Sequence, residues 1–191
     1  MLMKQISDFT KTSRQQYTPL LRISHDENPN DPMVCNWLAR VLSFENNHEC
    51  VTYFKKYLSL PTATWDIERS AAMRSISVFE DKEKWLRLAI QECEYFRPPY
   101  YDLANLYYQR QDWANCLAIG LLGLSKSYHT NTYLESAEAH RGALDDLVAI
   151  SFWNLGVIEK SYEHAKKASE LSPDDQRMQN NFKYIATELN K

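Results

Sequence analysis

Three side chains able to take part in acid–base chemistry lie close together in the second half of the sequence. They are Glu135, Glu138 and His140. A carboxylate beside an imidazole can pass a proton to or from a substrate near neutral pH when a cleft holds both groups. The sequence supplies no partner nucleophile, no glycine-rich phosphate loop and no metal-ligand set around them. These residues therefore define an enzyme hypothesis that needs no cofactor.

The aspartates, histidines and cysteines of this sequence lack the spacing that is typical of metal sites. Asp145 and Asp146 are adjacent at a predicted helix start, where carboxylates complement the helix dipole, and no D-x-D motif occurs. The five histidines are scattered, and the four cysteines form no C-x-x-C pair. We predict no metal site, and we interpret the cysteines as buried reduced thiols of a cytoplasmic protein.

The overall charge and hydropathy argue against two classes of partner. The formal net charge is -3 over 191 residues, whereas binding to nucleic acid usually needs a basic face. No apolar stretch approaches the roughly 18 residues of a membrane span. We therefore expect neither nucleic acid nor a membrane as the partner.

A polar and aromatic set of side chains favours binding to a protein or peptide. Asparagine and arginine hold an extended backbone or a carboxylate through directional hydrogen bonds, and tyrosine adds rigid contact area. Such residues lie one helical turn from the predicted buried positions of two helices. The predicted groove residues are Asn36, Arg40, Phe44, Tyr101, Asn105 and Tyr108.

The elements that position this groove are predicted to be pairs of short helices. Between Gly156 and Pro173, the small residues Ser161, Ala165 and Ala168 recur at i, i+4 and i+7. Small side chains at this spacing let two helices approach closely, as in the tetratricopeptide template. Three earlier stretches have apolar or small residues at the same spacing: Cys50, Phe54 and Tyr57; Leu86, Ile90 and Cys93; and Cys116, Gly120 and Gly123.

The predicted fold class is all-α. We expect a right-handed α–α superhelix of about four tetratricopeptide-like helix pairs, with a flanking helix at each end. The pairs are predicted over about 31–61, 64–97, 99–125 and 143–172. The remaining segments are a flexible leader over 1–15, an insertion over about 125–142 and an end-capping helix over 173–190, within a repeat domain over 16–191.

Local signals predict the helix starts and the buried faces. Asp31 is a predicted N-cap before Pro32, and Thr64 and Ser172 are predicted caps of later helices. Glu80-Asp81 is predicted to form a short turn in the second pair. The inner face of the first pair is predicted to be Trp37, Leu38, Val41 and Leu42, and the apolar side of the preceding helix Leu20, Leu21 and Ile23.

Several longer sequence motifs are more specific for a family than the helix spacing, and their order along the chain adds to this specificity. They are Tyr17-Thr18-Pro19-Leu20-Leu21, Glu27-Asn28-Pro29-Asn30-Asp31-Pro32, Trp65-Asp66, Leu103-Ala104-Asn105-Leu106-Tyr107-Tyr108, Trp153-Asn154-Leu155-Gly156 and Pro173-Asp174-Asp175-Gln176-Arg177. Together, over about residues 15–185, they resemble the tetratricopeptide-like region that follows the catalytic domain of certain bacterial and phage glycosyltransferases. The resemblance implies a glycosyltransferase-associated helical region. It does not imply transferase activity, because the mixed α/β catalytic domain is missing from this sequence.

Three functions remain open from the sequence. The first is a non-catalytic scaffold that binds a protein or peptide in the concave groove. The second is an enzyme that uses Glu135, Glu138 and His140. The third is a dimerisation or docking module for a separately encoded glycosyltransferase, with an interface of exposed aromatic residues: Tyr100, Tyr101, Tyr107, Tyr108 and Trp113.

Overall fold

A computed structural model describes residues 17–126 and 132–189, so the predicted leader over 1–15 lies outside the described residues. Eleven helices and no strand occur in the described part. The helices are α1 Thr18–Glu27, α2 Pro32–Phe44, α3 Cys50–Ser59, α4 Asp66–Ile76, α5 Lys82–Glu92, α6 Pro98–Gln109, α7 Trp113–Leu124, α8 Ala137–His140, α9 Ala143–Asn154, α10 Ile158–Leu171 and α11 Gln176–Leu189. None of these helices is long and apolar enough to cross a membrane.

The helices stack as successive antiparallel pairs. The pairs are α2 with α3, α4 with α5, α6 with α7, and α9 with α10. The first helices α2, α4, α6 and α9 contact one another in that order, and each second helix also contacts the first helix of the next pair. α1 packs against α2 at one end, and α11 packs against α10 at the other. The row of first helices forms the concave wall of the array.

Aspartate side chains start several of these helices. The Asp31 carboxylate accepts hydrogen bonds from the backbone N–H groups of Met33 and Val34, as predicted, and Pro32 occupies the first helical position. The prediction for Thr64 is wrong. Trp65 precedes α4 instead and makes no side-chain cap.

The predicted Ser172 cap is also wrong. α11 begins at Gln176, and Asp175 accepts hydrogen bonds from the backbone N–H groups of Arg177 and Met178. The three residues after Ser172 form a turn that delays the helix. The Ser172 hydroxyl accepts a hydrogen bond from the Gly142 N–H at 3.2 Å, so it ties the start of α9 to the end of α10.

In three of the four pairs, the turn after the first helix contains one residue in the left-handed backbone conformation. Asn46, Gln111 and Gly156 have φ of 54°, 58° and 77°. In each turn the next backbone N–H donates to a carbonyl five residues earlier at 2.9 Å, which satisfies one of the exposed carbonyls at the helix end. The second pair lacks this turn. The loop between its two helices covers residues 77–81 and is as long as the loop between α2 and α3. The predicted short turn at Glu80-Asp81 is therefore wrong.

Small residues permit the close helix contacts. Ser161, Ala165 and Ala168 are buried between α9 and α10, as predicted. In α7, a Cβ atom built on Gly123 would lie 2.8 Å from both Tyr100 and Leu144. The predicted close approach at this glycine is therefore confirmed, because no side chain fits there without movement.

The predicted inner face of α2 is confirmed for Leu38, Val41 and Leu42, but three other residues predicted to be buried in α1 and α2 are exposed. Trp37 is 52% exposed, because Cys35 and Ala39 take the inner positions of α2. Leu20 and Ile23 of α1 are 61% and 56% exposed. Within the described residues, no element covers these side chains.

The aromatic interface predicted for self-assembly is also partly wrong. Tyr100 and Tyr107 are each 3% exposed and lie inside the array. Tyr101, Tyr108 and Trp113 are half-buried. Packing within the array therefore accounts for much of this set.

Candidate peptide-binding groove

A polar cavity of about 390 Å³ lies on the concave wall between α2 and α4. Residues 133 and 134, from the segment before α8, close one side of it. The side chains that decide its chemistry are Asn36, Arg40, Phe44, Glu68, Arg74, Lys82, Asp102 and Tyr133. Three successive first helices and the segment before α8 therefore contribute to one site.

Arg74 and Asp102 neutralise each other's charge in the cavity, whereas Glu68 keeps its negative charge and is held by two neutral hydroxyls. The Arg74 Nε donates to the Asp102 carboxylate at 2.6 Å and so joins α4 to α6. The Glu68 carboxylate accepts hydrogen bonds from the hydroxyls of Tyr57 at 3.0 Å and Tyr133 at 2.9 Å. These bonds hold the walls of the cavity.

The Arg40 guanidinium interacts with the Tyr133 side chain and not with a carboxylate of the described residues. Its carbon atom lies 4.4 Å from the centre of the Tyr133 ring, and its Nη1 atom is buried without a hydrogen-bond acceptor. No ion pair joins Arg40 or Lys82 to a carboxylate within the described residues. A buried donor without an acceptor costs roughly 1–3 kcal/mol, so an acceptor from outside the chain would be favoured here.

The segment before α8 is fixed from both sides. Leu134 is 9% exposed and packs against Ile67 and Phe96. The Arg97 guanidinium donates to the carbonyls of Lys126 at 2.9 Å and Ala139 at 3.4 Å. These contacts place Tyr133 across the concave wall.

Burial and the hydrogen bond to Glu68 raise the pKa of Tyr133. Its hydroxyl therefore stays protonated near neutral pH and acts as a hydrogen-bond donor.

The six predicted groove residues divide into two sets. Asn36, Arg40 and Phe44 line the polar cavity together, and Asn36 is only 2% exposed. Tyr101 lines a second, more open cavity of about 840 Å³ with Glu138 and the end of the array.

The other two predicted residues line neither cavity. Asn105 is half-buried on α6. Tyr108 packs edge-on against Trp113, with 5.8 Å between the ring centres.

The structure brings two of the three candidate catalytic residues together. The His140 and Glu135 side chains meet at 2.5 Å and are 8% and 19% exposed. Glu138 is exposed and accepts a hydrogen bond from Ser136 at 2.9 Å. The Glu135–His140 pair lines neither cavity and instead joins the two ends of the segment that carries α8.

The adjacent aspartates make contacts that sequence reasoning missed. The Asp145 carboxylate accepts a hydrogen bond from the protonated Nδ1 of His164 at 2.8 Å and so links α9 to α10. Asp146 pairs with Arg177 and accepts from Asn181 at 2.9 Å, which links α9 to α11. Both also lie in the first turn of α9, where their predicted role as a dipole complement applies. Within the described ranges, no group of three or more potential ligands could hold a metal ion.

Comparison with known proteins identifies the fold by structure alone. No family model matches the sequence, and no curated protein matches it. The crystal structure of MamA matches with a TM-score of 0.64 and 14% identity, covering 88% of this chain and 94% of that one. TTC0263, a thermophilic tetratricopeptide repeat protein from Thermus thermophilus, matches with a TM-score of 0.53 and 14% identity over 91% of both chains.

A third match comes from a larger assembly. The chain in the Cut9–Hcn1 hetero-tetramer of the APC/C matches with a TM-score of 0.61 and 11% identity. It covers 93% of this chain and 34% of that one. This chain has a tetratricopeptide-like repeat fold. The predicted all-α superhelical repeat architecture is confirmed.

The repeat register of this fold explains one residue that sequence reasoning missed. Arg74 of α4 occupies the position that Arg40 occupies in α2, one repeat earlier. Extending the groove assignment from the first pair to the second would have found it. Glu68 and Tyr133 had no comparable signal, because their contact joins positions 65 residues apart.

Proposed function

We propose that this chain is a non-catalytic interaction scaffold that binds a carboxylate-bearing segment of a protein partner in the polar cavity. The observation that carries the proposal is the buried Arg40 Nη1 atom, which has no hydrogen-bond acceptor. The tetratricopeptide-like fold supports an interaction role, since stacked helix pairs build extended concave binding surfaces.

The side chains around Arg40 favour a carboxylate on a peptide. A guanidinium matches the two oxygens of a carboxylate, and a partly desolvated pair of this kind is strong. Lys82 adds a second cation at the same cavity. The amide of Asn36 can both donate to and accept from an extended backbone.

We propose Tyr101, Asn105 and Tyr108 as further contacts for the same partner along α6. α6 follows α4 in the row of first helices. An extended chain that leaves the polar cavity in this direction would pass them.

The test uses the full chain and fluorescein-labelled acidic decapeptides with a free carboxy terminus. Fluorescence anisotropy should show binding that weakens as salt increases, because ion pairing is screened. Arg40→Ala should reduce the affinity roughly tenfold or more, since the loss of one charge-assisted pair costs about 1.5–3 kcal/mol. Asn105→Ala should reduce it less, and the double variant should abolish detectable binding.

Lys167→Ala is the matched control, because Lys167 is an exposed cation of α10 distant from the cavity in sequence. It removes the same charge and should leave the affinity unchanged. Helical content and melting temperature should stay close to the parent's in all variants. Equal binding by Arg40→Ala and the parent would overturn the assignment of the cavity.

A glycosyltransferase is the partner class that we propose, on the sequence resemblance alone. A catalytic glycosyltransferase domain encoded next to this chain would support it and would favour the docking alternative. Turnover of nucleotide sugars by the pure chain would instead support the enzyme alternative at Glu135, Glu138 and His140. A cytoplasmic location is proposed from the four buried unpaired thiols, which suit a reducing compartment.

A further inference from the structure

An ion pair joins the helices α4 and α6 across the concave wall. The Arg74 Nε donates to the Asp102 carboxylate at 2.6 Å, and the two side chains are 21% and 26% exposed. In the row of first helices, α2 contacts α4 just as α4 contacts α6. The contact between α2 and α4 can therefore be compared with this ion pair, position by position.

The buried faces of the three helices fix the correspondence between their positions. The shift that takes Arg40 to Arg74 also takes buried residues of α2 onto buried residues of α4: Leu38 onto Ala72, Ala39 onto Met73 and Leu42 onto Ile76. The shift that takes the left-handed residue Asn46 to Gln111 takes the same three residues of α2 onto the buried Leu103, Ala104 and Tyr107 of α6. Each position of α2 thus has one counterpart in α4 and one in α6.

In this register, an alanine takes the place of the acid. Asp102 of α6 corresponds to Ala71 of α4, and Arg74 corresponds to Arg40. Arg40 and Ala71 both line the polar cavity, so the space that a carboxylate fills beside Arg74 is open beside Arg40. This difference explains why Arg40 has no counter-ion among the described residues.

Glu68, the remaining carboxylate of the cavity, does not act as that counter-ion. It accepts hydrogen bonds from the Tyr57 hydroxyl at 3.0 Å and the Tyr133 hydroxyl at 2.9 Å. The Tyr133 ring lies against the Arg40 guanidinium, with 4.4 Å between the guanidinium carbon and the ring centre. The ring fixes the guanidinium but leaves its charge uncompensated, and such a charge in a partly buried place favours the binding of an acid.

We propose that a side-chain carboxylate of the bound segment lies beside Ala71 and pairs with Arg40, in the place that Asp102 takes beside Arg74. This inference rests on the proposed function and adds to it the position of the ligand's charged group. The carboxylate comes from an aspartate or glutamate within the segment, because the internal template is itself an aspartate side chain on a chain that continues in both directions.

Ala71→Asp tests the proposal by supplying the acid from within the chain. The new carboxylate should pair with Arg40 and exclude the ligand. The full chain should then bind a fluorescein-labelled acidic decapeptide with an amidated carboxy terminus roughly tenfold or more weakly, as Arg40→Ala does. In the Ala71→Asp background, Arg40→Ala should also lower the urea midpoint further than it does in the parent, because it then breaks an ion pair.

Two control variants separate the charge from its volume and from the net charge of the chain. Ala71→Asn adds nearly the same volume without a charge and should weaken binding less than Ala71→Asp. Ala118→Asp adds the same charge on the exposed face of α7 and should leave the affinity unchanged. Equal losses in Ala71→Asn and Ala71→Asp would overturn the proposal, as would equal losses in Ala118→Asp and Ala71→Asp.

The reverse substitution does not depend on how well Ala71→Asp folds. Asp102→Ala removes the acid from Arg74 and should create a second site of the same kind. A decapeptide with several acidic residues should then bind roughly threefold or more tightly than it binds the parent. The gain should vanish when Arg74→Ala is added. An Asp102→Ala variant without any gain would contradict the equivalence of the two places.

The outcomes also separate this inference from the proposed function. Parent-like binding by Ala71→Asp, together with a loss in Arg40→Ala, would overturn the position assigned to the carboxylate and leave the proposed function standing. Binding that requires a free carboxy terminus would overturn the assignment to a side chain. No binding of acidic decapeptides by the parent, whether amidated or free, would overturn the proposed function and this inference with it.

Discussion

At the scale of single residues, Glu83 is the best example of a side chain whose ionisation is coupled to folding. Its carboxylate, at the start of α5, accepts hydrogen bonds at 2.6 Å from both the Tyr107 hydroxyl and the Arg110 guanidinium, and a third from Arg87 at 3.1 Å. The bonds from Tyr107 and Arg110, followed by that from Arg87, lower the pKa of Glu83 from 4.5 to about 2. The charged form is thus favoured in the folded state, and the carboxylate joins the second pair to the third.

A lowered pKa in the folded state makes the stability contribution of Glu83 depend on pH. The contribution is fully present above the ordinary value of 4.5 and is lost as the pH falls toward 2. Glu83→Gln should therefore lower the free energy of unfolding by roughly 0.5–1 kcal/mol at pH 7, a value appropriate to partly exposed pairs. The difference between parent and variant should shrink as the pH falls through this range, measured by urea unfolding at each pH.

Glu94→Gln provides the comparison for this prediction. Glu94 is exposed, and its side chain forms no ion pair within the described ranges. The substitution should change stability little at any pH. A difference between parent and Glu83→Gln that is independent of pH would contradict the assignment.

At the scale of elements, the contact of α7 with α6 and α9 depends on two glycines. A Cβ atom on Gly120 would lie 2.5 Å from the Val148 side chain, and one on Gly123 would lie 2.8 Å from Tyr100 and Leu144. Such distances are shorter than van der Waals contact, so the helices are as close as glycine permits. The cost of about 1 kcal/mol for a glycine inside a helix is offset by this approach.

Gly123→Leu should lower the free energy of unfolding by roughly 1–3 kcal/mol, because the leucine would overpack the contact with Tyr100 and Leu144. Chemical unfolding followed by circular dichroism measures the change. Ala118→Leu places the same side chain on the exposed face of α7 and should be close to neutral. A Gly123→Leu variant as stable as the parent would show that α7 packs differently.

At the scale of the whole molecule, the four cysteines report on the integrity of the array. Cys35, Cys50, Cys93 and Cys116 are each at most 1% exposed and unpaired. Burial raises the pKa of every one of these thiols, that of Cys93 to about 11. Both effects suppress the thiolate, which is the reactive form.

The thiols should therefore react with Ellman's reagent at mildly alkaline pH roughly 100-fold or more slowly in the native chain than in the urea-unfolded chain. Stopped-flow absorbance gives the rates, and mass spectrometry after pulsed alkylation assigns them to single cysteines. A thiol that reacts natively at the unfolded rate would contradict the packing of the pair that contains it.

Helix formation and pairing were largely predictable from the sequence because their determinants are local. Asp31 before Pro32, and the small residues Ser161, Ala165 and Ala168, act over one or two turns of the same element. Of the candidate site, Asn36, Arg40 and Phe44 could be predicted because they share one face of α2. The exposed Trp37 was wrongly predicted to be buried because it adjoins the buried Leu38, and periodicity does not show how much of an apolar face a neighbouring helix covers.

Antiparallel helix pairs with a repeating inner face follow from the amino-acid sequence, since residue spacing and helix caps act between near neighbours. The pairing of charges and the position of the segment before α8 follow from tertiary packing. Tyr133 contacts Arg40 and Glu68 although both lie more than 60 residues earlier in the sequence, and Asp146 pairs with Arg177 on another helix. Contacts of this kind depend on how whole helices stack, and the residue periodicity within one helix does not predict them.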